Sequence, residues 1–432
     1  RQVIEAKFKS KGDRVVDINL HSFDAGYEYA LDKFKNRLEN LFLDHETVDN
    51  SRIMLSGNQA IGMAAIDAGL KLYFGYPITP ATPIMEYLAK NLPERGGRVV
   101  QMEDEISSIG AVLGSFYAGT RAMTATSGPG FALMTELITH GVMAEIPAVI
   151  LDAQRAGPST GLPTKTEQSD LHAAVFGGPG DSARIVIAPT NVEECYHFLI
   201  KAFQLAEKYQ TPVIVLTDFF LDNRVENIPL IRTSRDQAAS WNVFPDDSFK
   251  DRYQRYSDTP SGISPRSIPG MEGFNFTATG LEHTEKGAPD YSPENHSKMS
   301  AKRHRKIRYA LNDLDKPVQF YANEHLDIGV IAWGSTFGSV LEAVNKSRDK
   351  GFKVGALKIT SIFPYHSDII ENFMAKCGCV LVPELNYEGQ LANLIAHLDS
   401  KPLERLNCVT GTPIPPSAIQ KRIQQLLEEK KR

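Results

Sequence analysis

Short apolar runs alternating with helical stretches constrain this chain more than any other feature. Runs at 71–74, 98–102, 121–126, 147–152, 184–187 and 212–217 read as strands, and helical spacing falls near 105–118, 130–144 and 192–209. Strands separated by helices imply a parallel, doubly wound sheet. An unbroken run such as Pro212-Val213-Ile214-Val215-Leu216 is what burial on both sheet faces demands. A helix rich in Ala and Gly opens before them at Gly57-Asn58.

The same alternation returns near the C-terminus. Ile328 to Trp333, Phe352 to Leu357 and Val380 to Val382 read as strands, with a helix running to Lys350 and another over 417–430. The expected fold is α/β, with two doubly wound parallel-sheet domains at 51–222 and 323–432. A stretch rich in Pro, Gly, Ser and charge, 223–322, joins them as a long irregular connector; such loops are usually functional or interface arms. Within it, Lys298, Lys302, Arg303, Arg305, Lys306 and Arg308 crowd around His304. A solvated helix face is the plain reading, and docking of an acidic redox partner or a phosphate the sharper one. Residues 1–50 show helical spacing over 25–43 but are too few for a core. They are expected to be a docked tail or the end of a domain fused ahead, and the opening at Arg1 suits a fragment or processed product.

Loops that follow parallel strands meet at the carboxyl edge of the sheet, where ligands bind. Three islands should therefore converge: Tyr76-Pro77-Ile78-Thr79-Pro80, Met102-Glu103-Asp104-Glu105, and Arg155 through Thr164. Proline fixes φ, so the first island can hold the Thr79 hydroxyl at low entropic cost, as a plain turn would also look. Arg155 offers a two-pronged fork for a carboxylate, or a structural ion pair. Thr160, Thr164 and Lys165 share its loop. Glu105 stands where acids favour a helix start through the dipole alone. Yet Thr124-Ala125-Thr126-Ser127-Gly128-Pro129-Gly130 makes a second strand-to-helix turn small enough to admit a flat ring. A carboxylate beside a flat slot is what a thiamin aminopyrimidine requires, because its ring nitrogen must be kept protonated.

Other classes drop out. A net charge of −5 argues against general nucleic-acid binding. No apolar run approaches a membrane span, and no secretory signal is visible. The four cysteines, Cys195, Cys377, Cys379 and Cys408, are too few for a disulfide framework, which points to a reducing cytoplasm. No C-x-x-C-x-x-C run and no phosphate-binding G-x-x-x-x-G-K-[ST] loop is present. Gly180-Asp181 lacks the Asn-Asn that would complete a Mg²⁺-diphosphate motif, so a second chain is expected to hold thiamin's diphosphate and metal, and no metal ligands are assigned here.

Together the islands resemble the α subunits of 2-oxoacid:ferredoxin oxidoreductases, in the 2-oxoglutarate-type branch. The resemblance rests on Gly75 through Pro80, on Glu105, on Arg155-Ala156-Gly157-Pro158-Ser159-Thr160-Gly161-Leu162-Pro163-Thr164, and on Pro383-Glu384-Leu385-Asn386-Tyr387-Glu388-Gly389-Gln390-Leu391. It spans about 51–432, and residues 1–50 resemble the end of a fused γ domain. It implies a pyrimidine-binding thiamin domain followed by a transketolase C-terminal-like domain. It implies a β subunit carrying the diphosphate, Mg²⁺ and a [4Fe–4S] cluster, in an αβ or (αβ)2 complex. Coenzyme A and ferredoxin would complete the cycle. Glu105 would activate the aminopyrimidine, with Tyr76, Pro77 and Ile78 lining the cofactor. Thr79 and Arg155 would hold the 2-oxoacid carboxylate, with Thr160 and Thr164 on the substrate side. Pyruvate or a branched-chain acid stays open as substrate. Two rivals remain: a thiamin enzyme without redox chemistry, and a docking scaffold, which leaves the grouping of Thr79, Glu105 and Arg155 unexplained.

Overall fold

The computed structural model describes residues 1–38, 51–231, 239–399 and 401–429. The chain forms two compact units, Arg1–Ser51 and Arg52–Arg432. In the first, helix α1 (Gln2–Phe8) turns into the long α2 (Asp13–Leu38), and Arg1 reaches Asp24 at 3.0 Å. No residue of α1 is buried, and Phe23, Tyr27 and Phe34 of α2 expose their rings. Part of the expected helical stretch, 39–43, lies outside the described residues.

The second unit opens with β1 (Arg52–Ser56) and α3 (Gly57–Asp67), where Ser56 and Gln59 form a capping box. The alternation follows: β2 (Leu72–Gly75), α4 (Thr82–Asn91), β3 (Arg98–Gln101), α5 (Glu105–Tyr117), β4 (Ala122–Thr126), α6 (Gly128–Met143) and β5 (Ala148–Gln154). Then come α7 (Leu171–Phe176), β6 (Ile185–Ile187), α8 (Val192–Tyr209), β7 (Pro212–Asp218), α9 (Phe219–Asn223) and β8 (Val225–Pro229), the last pairing with β1. Helix α10 (Pro293–Tyr309) leads to β9 (Val318–Phe320), β10 (Ile328–Ala332), α11 (Thr336–Asp349), β11 (Val354–Lys358) and β12 (Ser361–Phe363). The unit closes with α12 (Ser367–Ala375), β13 (Val380–Glu384), α13 (Gln390–Ile395), β14 (Glu404–Asn407) and α14 (Pro416–Glu429).

Seven strands build the first sheet in the order β12-β6-β7-β5-β4-β2-β3, and five the second, β14-β13-β10-β11-β9. All neighbours run parallel except β12 on β6 and β9 on β11. Strands β4, β5 and β7 are buried along their whole length, polar residues such as Thr124, Thr126, Asp152 and Gln154 included. The α/β pattern is thus as read, with β1, β8, β9, β12 and β14 added to the expected strands; of these, β12 leaves the C-terminal segment and extends the first sheet. One apolar core accordingly runs from α3 to Trp333, Leu357 and Phe373.

The connector is more ordered than its composition suggests, carrying β8, α10 and β9. Its basic run is neither a solvated face nor a free docking patch, which corrects both sequence readings. Lys302, Arg303 and Lys306 are buried. Glu145, fully buried at the end of α6, accepts from Lys302 at 2.5 Å and Lys306 at 2.7 Å, while Arg303 grips Glu282 through two bonds of 3.0 and 2.8 Å. Lys298 pairs with Glu285 and Arg305 with Asp258. The cations were recruited by buried acids distant in sequence, which pins α10 to the first sheet's helices. Burial opposes the Glu145 charge, yet Lys302, Lys306 and Arg255 hold its carboxyl well below the usual range. Burial pushes Lys306 down to about 8 against the pull of Glu145. Among the described residues, no helix is long and apolar enough to cross a membrane.

Candidate active site

The strand registers bring the three islands to one edge. Gly75 of β2 pairs with Gln101 of β3, Thr126 of β4 with Asp152 of β5, and Gln154 of β5 with Asp218 of β7. The loops leaving these strands share the carboxyl edge, and the winding reverses beside β2, where an open sheet forms its crevice.

Asp104, rather than Glu105, caps α5: its carboxylate accepts from Ser107 N at 2.7 Å. That leaves Glu105 as the first helical residue, 6% exposed, its carboxylate without a hydrogen bond or ion pair among the described residues. Across from it stands Gly130, in the first turn of α6. A Cβ there would meet Thr126 Oγ1 at 2.1 Å and Glu105 Oε1 at 2.4 Å, so only glycine fits. Ser127, at the head of α6, makes no side-chain cap, and its hydroxyl is buried without a partner. An unpartnered carboxylate beside the turn Gly128-Pro129-Gly130 is an acceptor that fits a protonated aromatic ring nitrogen.

Arg155 sits just past β5, 7% exposed. Its Nη1 donates to the Thr79 carbonyl at 2.7 Å, joining the first and third islands, and its Nε has no partner. The Thr79 side chain is on the exposed surface of its loop, as is Tyr76 at 43%. The Arg155 loop closes on itself: Leu162 N donates to Ala156 O at 2.9 Å, and Ala156 N to Lys165 O at 3.0 Å. Gly161 permits this closure, since its φ is +49° and a Cβ would lie 2.1 Å from Ala156 O. Thr160 is exposed on that loop, and Thr164 lines a neighbouring cleft with Lys165, Phe219 and Phe220.

A cavity of about 480 Å³ opens between Gly128, Arg155, Glu167, Asp170, Tyr387 and Glu388. The second sheet supplies its far wall through the 383–391 motif. Glu384, fully buried, accepts from Leu391 N at 2.8 Å, Ala392 N at 3.0 Å and Asn386 Nδ2 at 3.0 Å. Asn386 Nδ2 also donates to Gln168 O at 2.9 Å, and Gln390 Nε2 to Ser169 O at 2.8 Å. The motif therefore latches the second sheet onto residues 166–170, setting the width of the cavity. Sequence reasoning missed this latch and the acids beneath it. Asp152, in β5, is fully buried with neither carboxylate oxygen partnered, and half-buried Asp170 keeps its Oδ2 buried without a partner. The one available signal was a charged residue inside an otherwise apolar strand run. Among the described residues, no group of three or more His, Cys, Asp or Glu could hold a metal ion.

Comparison with known proteins follows the same division. The family described as pyruvate flavodoxin/ferredoxin oxidoreductase, thiamine diP-bdg, matches residues 63–302, and that described as pyruvate:ferredoxin oxidoreductase core domain II matches 327–416. The chain is 40% identical to the 2-oxoglutarate synthase subunit KorA of Methanocaldococcus jannaschii over 78% of its own length and 89% of that protein. It is 33% identical to subunit alpha of an Aeropyrum pernix 2-oxoacid:ferredoxin oxidoreductase, over 99% of its length and 68% of that protein. Among solved structures, a 2-oxoglutarate:ferredoxin oxidoreductase from Magnetococcus marinus with 2-oxoglutarate, coenzyme A and succinyl-CoA bound matches with a TM-score of 0.88 and 40% identity. That match covers 98% of this chain and 73% of the other.

Proposed function

The chain belongs to the 2-oxoacid:ferredoxin oxidoreductase family, and we propose that it is the α subunit of a 2-oxoglutarate:ferredoxin oxidoreductase. The reaction is CoA-dependent oxidative decarboxylation of 2-oxoglutarate to succinyl-CoA and CO2, with two electrons passed to ferredoxin, or its reverse. The observation that carries this reading is the unpartnered carboxylate of Glu105, a residue only 6% exposed, facing Gly130. Thiamin diphosphate supplies the carbanion chemistry when bound. Glu105 accepts a hydrogen bond from the protonated ring nitrogen and keeps that proton in place. Gly128, Pro129 and Gly130 leave room for the ring, and Tyr76, Pro77 and Ile78 close its other side. Arg155 and the Thr79 hydroxyl orient the substrate carboxylate, which fixes which bond faces the reacting carbon. Thr160 and Thr164 extend the substrate side of that loop.

A β subunit is proposed to complete the site with Mg²⁺, the diphosphate contacts and a [4Fe–4S] cluster. In support, the loops and helix starts of this edge carry exposed apolar side chains: Tyr76, Ile106, Leu133 and Leu162. Such a surface suits a covering partner in an αβ or (αβ)2 complex. Four cysteines, too few for a disulfide framework, suit a reducing cytoplasm. Pyruvate or a wider range of 2-oxoacids is the second reading, favoured by the pyruvate-named family models. The test is kinetic: the purified complex, assayed for CoA-dependent ferredoxin reduction, should give its highest kcat/KM with 2-oxoglutarate. Preference for pyruvate would select the second reading, and substrate turnover without ferredoxin reduction would remove the redox assignment.

A further inference from the structure

The wall of the 480 Å³ cavity has an unexpected charge balance for a site that must take an anion. It holds one guanidinium, Arg155, against three carboxyl groups, Glu167, Asp170 and Glu388. Glu388 has His172 at 3.9 Å, and Glu167 is met by Gly157 N and the Ser169 hydroxyl, each at 3.3 Å. Asp170 is different. Its backbone N–H donates to Gln154 Oε1 at 3.1 Å, while its Oδ2 is buried without a partner. That oxygen lies against the start of α6, 2.7 Å from where a Cβ on Gly128 would stand. Beneath it, on β5, Asp152 is fully buried with neither oxygen partnered. Among the described residues, no Lys or Arg forms an ion pair with Asp152, Glu167 or Asp170. The charged groups that act on Asp170 or line the cavity with it are Asp152 and Arg155 from β5 and its loop, Glu167 from its own segment, and Glu388 from the second sheet. Helix α6 adds only uncharged Gly128, Pro129 and Ala132.

We propose that this cavity takes up its anionic 2-oxoacid together with a proton, which Asp170 receives. The proposal rests on the assignment of the cavity to a 2-oxoacid. An incoming carboxylate beside Asp170 is a like charge in a desolvated site, and the least costly response is to neutralise the aspartate. Asp170 is suited to this. Burial and the Glu167 charge push its carboxyl up to about 6, with Arg155 pulling the other way. Burial holds Asp152 well above the ordinary range, helped by Asp170 and Asp222. With the cavity empty near pH 7, Asp170 is largely ionised. A bound anion raises it further, so protons are absorbed on binding. By reciprocity, affinity is greatest below about pH 6 and falls as the pH rises towards the bound-state value. Each further unit by which the anion raises Asp170 corresponds to about a tenfold loss of affinity across that window.

The test is calorimetric, using the αβ complex and oxalylglycine, a dianionic 2-oxoglutarate analogue that is not decarboxylated. Binding heats at pH 7 in buffers of different ionisation enthalpy give the protons absorbed per ligand. The wild type should absorb a substantial fraction of one proton. Asp170→Asn should absorb close to none, and should bind up to about tenfold more tightly than wild type at pH 8. Glu167→Gln, which keeps Asp170 but removes a neighbouring charge, should absorb less than wild type at pH 7. That variant keeps the test open if Asp170→Asn fails to fold. A merely structural Asp170 would give weaker binding at every pH with uptake unchanged. Binding without proton uptake in the wild type, or undiminished uptake in both variants, overturns the proposal and leaves the 2-oxoacid reading intact. No binding at pH 6, together with no turnover of 2-oxoglutarate, overturns both.

Discussion

Gly130→Ala probes the slot with a single methyl group. A Cβ at this position would fall 2.1 Å from Thr126 Oγ1, 2.4 Å from Glu105 Oε1 and 2.7 Å from Glu105 Cγ. The Thr126 hydroxyl, on buried strand β4, and the Glu105 side chain must therefore both give way. Alanine is favoured over glycine inside a helix by about 0.5–1 kcal/mol, whereas overpacking a filled interior costs about 1–3 kcal/mol. The net loss of stability should therefore stay below about 2.5 kcal/mol, and the chain should fold. The loss at the site should be larger in effect. Removing a hydrogen bond to a charged group is worth roughly 1.5–3 kcal/mol, or about 10- to 150-fold in thiamin diphosphate affinity. Turnover should fall by at least about 100-fold. Melting curves, calorimetric titration of thiamin diphosphate into the apo complex, and ferredoxin reduction separate these effects. A folded variant with wild-type cofactor affinity and turnover would refute the placement of the slot between Glu105 and Gly130.

Glu105→Gln should fold normally and lose at least about 100-fold in turnover, since positioned acid–base groups contribute about 10²–10⁴-fold; near-normal rates would move the role to another carboxylate, with exposed Glu103 next in line. Arg155→Lys can still reach the Thr79 carbonyl but loses the fork, so kcat/KM should drop about 10- to 150-fold while cofactor content and melting temperature hold. A fall in all three instead would make Arg155 a structural residue. Glu145→Gln leaves Lys302 and Lys306 buried without their carboxylate and should cost about 3–5 kcal/mol in denaturant unfolding at pH 7. Because the folded protein holds Glu145 below the usual carboxylate range, that stabilisation is complete above the range and is lost only as the pH falls through the lowered folded value. A variant as stable as wild type at pH 7 would show that α10 is anchored elsewhere.

The parallel sheets were legible because two-sided burial leaves unbroken apolar runs, as in β5 and β7. The shared edge of the Glu105 and Arg155 loops was legible because parallel strand ends deliver loops to one side, so position along the chain predicts position in space. What stayed hidden were pairings between distant residues. The run at 298–308 shows six cations locally and gives no hint that Glu145 and Glu282 wait for three of them. Strand β12 is three residues long, and its place beside β6 follows from long-range packing, not from its own composition. The role of Asn386 in gripping Gln168 depends on two sheets meeting across 218 residues of chain. Nothing in the sequence singles out Asp170, since a buried carboxylate oxygen without a partner is a property of the folded site alone.

The most direct test of the central claim is a structure of the complex with thiamin diphosphate bound. The account predicts the aminopyrimidine lying over Gly128-Pro129-Gly130, its ring nitrogen within hydrogen-bond reach of the Glu105 carboxylate, about 2.6–3.2 Å. It also predicts the diphosphate and Mg²⁺ held by the partner chain. An aminopyrimidine bound away from Glu105, or a diphosphate held by this chain's own loops, would contradict it.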